Sequence, residues 1–260
     1  MKRLEFFKIA GTLAAGYIAG CTSEKRKTHL VTLSFDDGFR KSCEKIAEIY
    51  ERFGLSACIN VIATGHLPGF DPPGKYIAAT ERGDFGLWNE LQARGHEIMP
   101  HSYRHANLAE MPFAEAQGLI LKCLDVFAEE LEGFDPAKAV FNFPYNASTP
   151  ELEAWLPGVV MAFRTGFAAV NELPHPGMVK LLTTGYGPEN CESHLDKHVE
   201  LLLSRPSGWL VYNTHGLDDE GWGPIRSVYL ERLLERLVQI ETVQVVPAGR
   251  ALLEAVGAIA

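Results

Sequence analysis

Residues Thr32–Gly38 read Thr-Leu-Ser-Phe-Asp-Asp-Gly, an apolar run that stops at two adjacent carboxylates and a glycine. Leu30, Val31, Leu33 and Phe35 give the run the density of a strand covered on both faces. Asp36 and Asp37 then stand at its carboxyl end. Successive strand side chains point to opposite sides, so the two carboxylates share one task only if the backbone turns between them, and Gly38 permits a turn. In parallel α/β architectures the carboxyl ends of strands gather ligands and catalytic groups. Taken alone, the motif reads more readily as an acidic strand-to-helix loop in which one Asp caps the next helix.

The chain alternates from there. Cys43, Ile46, Ala47 and Tyr50 recur at helical spacing before Gly54, and strands fit Ala57–Ile62, His96–Met99, Ala139–Phe143, Val159–Arg164, Trp209–Thr214 and Val243–Val246. Between them, Leu87, Trp88 and Leu91, then Ile120, Leu124, Phe127 and Leu131, form apolar helix stripes, and Thr149-Pro150 reads as a helix cap. Leu195, Val199 and Leu202, then Leu230, Leu233, Leu234 and Leu237, mark two further helices, and a last one runs Ala248–Val256. A glycine- and proline-rich loop, Gly65–Gly74, breaks the rhythm. About seven strands alternating with helices predict one α/β domain, a parallel sheet closed or nearly closed as a barrel.

Composition narrows the function. The 260 residues are 47% hydrophobic and 22% charged, with a net charge of -9. Positive charge is not concentrated beyond the amino-terminal region, which excludes a nucleic-acid groove and argues against adhesion to an anionic membrane. The first twenty residues follow another logic: Lys2, Arg3 and Lys8 precede an uncharged stretch, Ile9–Gly20, too short to span a bilayer and suited to an export signal. Ile18-Ala19-Gly20-Cys21 resembles the bacterial lipoprotein signal, implying a leader over 1–20, lipidated Cys21 and a tether over 21–28. Arg3–Lys8 is similar to a twin-arginine signal, except that Leu4 stands where the second arginine would be. The expected protein is exported and held at the bacterial cell envelope by its lipid anchor alone. Cys43, Cys58, Cys123 and Cys191 lack CxxC spacing and read as small core residues.

Three strand ends carry unusual residues: Asp36-Asp37, the run His101-Ser102-Tyr103-Arg104-His105, and His215-Gly216. Two histidines four apart suit one turn of helix and a shared metal. His194 and His198 have the same spacing but lie on an amphipathic helix, where they read as ordinary helix histidines. His101 and His105 follow Pro100 at a strand's carboxyl end. Two imidazoles and one carboxylate leave coordination positions open, the catalytic pattern, and suit zinc, cobalt or another divalent ion.

Together, TLSFDDG, Gly95–Ile98 with His101–His105, Phe141–Asn146 (FNFPYN) and His215 resemble the successive motifs of the polysaccharide deacetylase family, the NodB-homology or carbohydrate esterase 4 group. The resemblance implies a distorted (β/α) barrel over 29–260. It implies Asp36 as general base, Asp37, His101 and His105 as metal ligands, Tyr145 as an oxyanion donor through its backbone N–H, and His215 as general acid. The expected activity is metal-dependent hydrolysis of N-acetyl, in second place O-acetyl, groups on an acetylated polysaccharide or oligosaccharide. The alternatives are a non-catalytic glycan-binding protein on the same fold and a hydrolase of small amides. Departures exist: Asn142 stands where the family usually carries an arginine against the base, and Asn213 where a leucine usually lines the acetyl pocket. No Asp-Trp pair occurs between Val159 and Leu173. Arg164, ending the next strand, is expected to supply the absent guanidinium. Trp222 and the Asp218–Gly223 segment follow His215 on the same rim.

Overall fold

The computed structural model describes residues 27–71, 81–168, 170–189 and 191–257. The expected leader, Cys21 and most of the 21–28 tether lie outside the described residues, as does part of the Gly65–Gly74 loop. Eight strands form: β1 (His29–Phe35), β2 (Cys58–Val61), β3 (Glu97–Pro100), β4 (Val140–Asn142), β5 (Ala162–Phe167), β6 (Lys180–Gly185), β7 (Gly208–Thr214) and β8 (Val243–Val245). Seven run side by side in the order β3-β2-β1-β7-β6-β5-β4, every ladder parallel, while β8 joins β1 off this path. The β3–β4 seam is bridged through side chains: Asn142 Nδ2 donates to Pro100 O at 3.3 Å, and His101 Nδ1 meets Asn142 O at 3.0 Å. The result is a nearly closed, distorted (β/α) barrel.

Its helices are α1 (Arg40–Arg52), α2 (Phe85–Ala93), α3 (Phe113–Glu130), α4 (Pro150–Trp155), α5 (Glu192–Leu203), α6 (Ser227–Val238) and α7 (Ala248–Gly257). The apolar stripes turn inward as their spacing requires; Cys43, Ile46, Ala47 and Tyr50 of α1 are all buried. Thr149 caps α4, its hydroxyl accepting from Leu152 N–H at 3.3 Å. Truncating Ile46, wholly buried in this layer, costs about 2–5 kcal/mol. All four described cysteines are buried and free.

Two strand expectations need correction. The strand expected over Val159–Arg164 runs Ala162–Phe167, because the Val159 and Val160 N–H groups both donate back to Leu156 O and close a turn there. The sixth strand, Lys180–Gly185, stands where the sequence suggested none. It follows β5 with no helix between, so the βα rhythm that reveals the others is absent there.

The period of two along each strand sorts the barrel interior by height. Leu30, Cys58, Val140, Ala162, Leu181, Trp209 and Val211 form one apolar cluster that α7 closes through Ala248, Ala251 and Leu252. Two residues further along β2, β4, β5 and β7 stand Asn60, Asn142, Arg164 and Asn213, and four past Leu30 on β1 stands Ser34, all joined by hydrogen bonds directly or through Asp36. Val31, Leu33 and Phe35 of β1 pack in the other cluster, with the residues of α1. The barrel is thus apolar at the amino ends of its strands and polar at the carboxyl ends.

Candidate metal centre and active site

Asp36 sits where β1 ends, and its carboxylate enters that polar layer, 2% exposed. Four hydrogen bonds reach it: Asn60 Nδ2 (2.7 Å) and Arg164 Nη1 (2.9 Å) on Oδ1, Arg164 Nη2 (2.5 Å) and Asn213 Nδ2 (2.7 Å) on Oδ2. Ser34 Oγ sits behind the fork, accepting from both Asn60 Nδ2 and Arg164 Nη1. Burial opposes the Asp36 charge, but the Arg164 cation, the His101 charge and the Arg164 hydrogen bonds outweigh it and hold the carboxyl below its ordinary range.

Asn142 and Arg164 are register partners across β4 and β5. Arg164 therefore brings its guanidinium to Asp36 from the strand beside Asn142. Asn142 itself acts at one remove: its Nδ2 donates to Asn60 Oδ1 at 2.9 Å, and Asn60 donates to Asp36. Asn60 and Ser34 escape a reading of the sequence, because single small polar residues inside apolar strands carry no motif. Their even spacing from Asp36 along β1, and the β1–β2 register, are the signals that point to them.

Asp37 turns the other way. It and Gly38 both adopt left-handed backbone, φ 74° and 70°. This reversal lets adjacent carboxylates serve different neighbours. Asp37 Oδ1 lies 3.5 Å from His101 Nε2 and 3.4 Å from His105 Nε2. The two histidines reach it from a loop rather than from a turn of helix, with Ser102 at φ 68° and His105 at φ 56°, and the Ser102 Oγ accepts from His105 N–H at 2.9 Å. All six non-glycine residues of positive φ among the described residues, Asp37, Ser102, His105, Tyr145, Asn146 and Asp218, follow the carboxyl ends of strands. Such conformations cost of order 1 kcal/mol or more each and gather at functional sites.

These three side chains fit a metal ion. They are the one group of three His, Cys, Asp or Glu residues among the described residues whose ligand atoms all lie within 4.8 Å of one another, and all three are buried. Donor atoms about 2.0–2.2 Å from a tetrahedral zinc stand roughly 3.3–3.6 Å apart, which brackets both Asp37 distances. The buried Asp37 Oδ1 has no conventional hydrogen bond among the described residues. His101 Nδ1 is within bonding distance of Asn142 O, which, with the ring proton there, aims the Nε2 lone pair at the centre.

Charge is unevenly shared within the trio. Burial opposes the Asp37 charge, yet His105 and His101 hold its carboxyl far below the usual range. Burial also opposes the His101 imidazolium, but Asp36 and Asp37 prevail and raise its pKa. For His105 burial wins, helped by the His101 and His215 charges, and its pKa falls to about 4.

Tyr145 has φ 59° in a short 3-10 segment, Pro144–Asn146, and its half-exposed ring stands 4.9 Å from that of His105. His215 follows β7 directly, half-buried, edge-on to Trp222 at 5.7 Å, and its buried Nδ1 has no hydrogen-bond partner among the described residues. The loop behind it is pinned to α1: Ser42 N–H and Oγ–H donate to Glu220 Oε2 at 2.9 and 2.5 Å, and Leu217 N–H donates to Ser42 Oγ at 2.9 Å. His194 and His198 lie elsewhere. His194 Nδ1 meets Tyr212 Oη at 2.9 Å, and its ring stacks on Tyr186.

A parallel barrel with a buried Asp-His-His trio and an adjacent buried Asp at its carboxyl rim has the layout of a hydrolase-like site with room for a divalent ion. The chain belongs to the polysaccharide deacetylase family, whose sequence model matches residues 23–155. The family's activity is hydrolysis of amide or ester bonds of polysaccharides.

No curated protein matches the sequence. Among solved structures, the Xyl-CE4 domain of a multidomain xylanase from the hindgut metagenome of Trinervitermes trinervoides is 15% identical, with 87% of this chain and 91% of that one covered and a TM-score of 0.58. Peptidoglycan deacetylase PdaC from Bacillus subtilis is 15% identical over 89% of this chain and 93% of its own, with a TM-score of 0.55. A CE4 family pseudoenzyme from Bacillus anthracis is 11% identical over 88% of this chain and 66% of its own, also with a TM-score of 0.55. At these identities the likeness is one of fold, a fold shared by two proteins named for chemistry and one named for lacking it.

Proposed function

We propose that this chain is a metal-dependent deacetylase that removes N-acetyl groups from an envelope or extracellular polysaccharide, releasing acetate and a free amino sugar. The observation that carries this reading is the division of the Asp pair: Asp37 with His101 and His105 at a cation-sized centre, and Asp36 beside it on Arg164.

Asp37, His101 and His105 would hold the ion, and zinc suits two imidazoles and a carboxylate. Such an ion supplies Lewis acidity toward a carbonyl oxygen and toward the attacking water. The remaining steps belong to the chain. Asp36 takes the proton of the water as it attacks the acetamide carbon, its plane fixed by the two-pronged Arg164 contact. The Tyr145 backbone N–H donates to the oxygen on which negative charge develops. His215, held edge-on by Trp222, gives a proton to the departing nitrogen, which leaves as an amine and not as an amide anion. The same residues serve an O-acetyl ester, for which the last protonation matters less. The resemblance of residues 1–20 and Cys21 to a lipoprotein export signal supports a lipid-anchored protein at the bacterial cell envelope, where such polymers lie.

Acetate release from acetylated chitooligosaccharides, peptidoglycan and poly-N-acetylglucosamine, measured with and without chelator, tests the reading. Release that chelator abolishes and zinc restores is the expected result. Tight binding of a glycan with no release from any of them would overturn it in favour of a lectin-like role.

A further inference from the structure

An ionised carboxylate offers about four in-plane acceptor positions. At Asp36 all four are filled by protein donors: Asn60 and one Arg164 nitrogen on Oδ1, the other Arg164 nitrogen and Asn213 on Oδ2. A base must accept a hydrogen bond from the water it deprotonates before the proton can move. As seated, Asp36 has no in-plane position left for that water.

Three of the four bonds are braced. The Arg164 fork is buried, and its Nη1 also donates to Ser34 Oγ. Asn60 is locked from two sides, giving a hydrogen to Ser34 Oγ and receiving one from Asn142. Asn213 is held differently. Its Nδ2 also touches Thr214 O at a long 3.4 Å, its Oδ1 meets Asn146 Nδ2 at the same length, and among the described residues the buried Asn146 Oδ1 has no hydrogen-bond partner. A buried amide oxygen lacking a donor is costly, and the Asn213 amide already lies against the amide group of Asn146.

We infer that Asn213 is a gate on Asp36: its amide alternates between Asp36 Oδ2, where it excludes the reacting water, and Asn146 Oδ1, where it frees that position. Asn213 is a positioning residue acting through Asp36, and the inference rests on Asp36 being the base. The gate also gives the departure at this position a consequence. A leucine side chain there cannot hydrogen-bond Oδ2, so a leucine-bearing site stands open.

The test is Asn213→Leu, with Asn213→Ala as a second variant, made in the full chain loaded with zinc. Releasing one hydrogen bond to a charged group shifts a closed–open equilibrium by about tenfold or more, so the variants are expected to raise kcat by about that factor. KM stays near wild type and zinc content is unchanged. In an Asp36→Asn background the gain disappears, which a merely structural role for Asn213 does not predict. Crystal structures give a reading independent of turnover. The expected result is a water within hydrogen-bond distance of Oδ2 in the leucine variant and none in wild type while Asn213 is bonded there. A kcat at or below wild type in both variants would overturn the gate, as would a water already on Oδ2 beside a bonded Asn213. If neither protein releases acetate from any glycan, the deacetylase reading falls and the crystallographic water alone decides the gate.

Discussion

Arg164 grips Asp36 with two parallel hydrogen bonds, Nη1 to Oδ1 and Nη2 to Oδ2, from a strand position level with Asn142 on its neighbour. Both members are buried, Arg164 at 1% exposure and Asp36 at 2%. Removing the cation from a buried pair leaves an uncompensated charge, at a cost of about 3–5 kcal/mol. For a domain of this size that lowers Tm by on the order of 10 °C. Arg164→Ala is therefore expected to fold less stably and to lose activity by about a hundredfold or more, since Asp36 would lose the group that fixes its plane. Because the two positions share a register, Asn142→Arg placed in the Arg164→Ala chain should recover some of the loss. Full activity of Arg164→Ala beside a dead Asp36→Asn would show that Arg164 does not serve the base.

The metal trio predicts a pH dependence of binding. Without the ion, His101 titrates above its ordinary 6.5 because the Asp36 and Asp37 charges outweigh its burial, and His105 titrates near 4. Below the raised His101 value an imidazolium occupies a ligand position. Zinc affinity then rises with pH, by about tenfold per unit, and levels off once His101 is neutral; His105 competes only in acid. Calorimetry in two buffers of different ionisation enthalpy should find more than half a proton released per zinc ion at pH 6.5 and progressively fewer as the pH rises toward alkaline values. Proton release independent of pH over that range would show that His101 is not displaced from its protonated form.

Much of the fold was legible because the apolar stripes of the helices and the dense strands obey their periods. β6 escaped because Lys180–Gly185 follows β5 with no intervening helix and ends in two threonines and a glycine. At the site, the carboxylates and histidines were visible by residue type and by their place after strands. Their division of labour was not, since it depends on left-handed backbone at Asp37, Ser102 and His105, non-glycine residues that seldom adopt it. Asn60 was hidden for another reason, and Asn213 was visible only as a departure from the family pattern, with no sign that it meets Asp36. A lone amide in an apolar strand becomes meaningful only when ladder register sets it beside a buried charge, as Ser34 pairs with Asn213 on one side and with Cys58, two residues before Asn60, on the other.

A buried knot, Ser42 with Glu220 and Leu217, ties the loop that carries His215 and Trp222 to α1. Ser42→Ala removes the acceptor of the Leu217 N–H and one donor to Glu220 Oε2, groups buried from solvent. The expected destabilisation is about 1–3 kcal/mol, read as a lower Tm. Since the loop positions the proposed acid, kcat should fall more than KM rises. A large rise in KM with kcat intact would assign the knot to glycan binding and not to proton delivery.

Two histidine pairs of identical spacing offer an internal comparison for the metal. His101 and His105 face Asp37 in a buried loop, whereas His194 and His198 lie half-buried on α5, the former against Tyr212 and Tyr186, the latter with its Nδ1 2.8 Å from the His194 carbonyl. The first pair has a carboxylate to neutralise some of the charge of a divalent ion; no carboxylate joins the second in a three-residue group among the described residues. Two neutral imidazoles alone hold zinc weakly, so a chain purified without added metal and analysed by mass spectrometry should carry about one ion. His194→Ala/His198→Ala should leave that stoichiometry and the chelator-sensitive activity in place, with a small loss of stability from the Tyr212 contact. His101→Ala and Asp37→Ala should each abolish both. Metal retained in His101→Ala but lost in the His194/His198 double variant would move the metal centre to α5 and leave Asp37 without the task assigned to it.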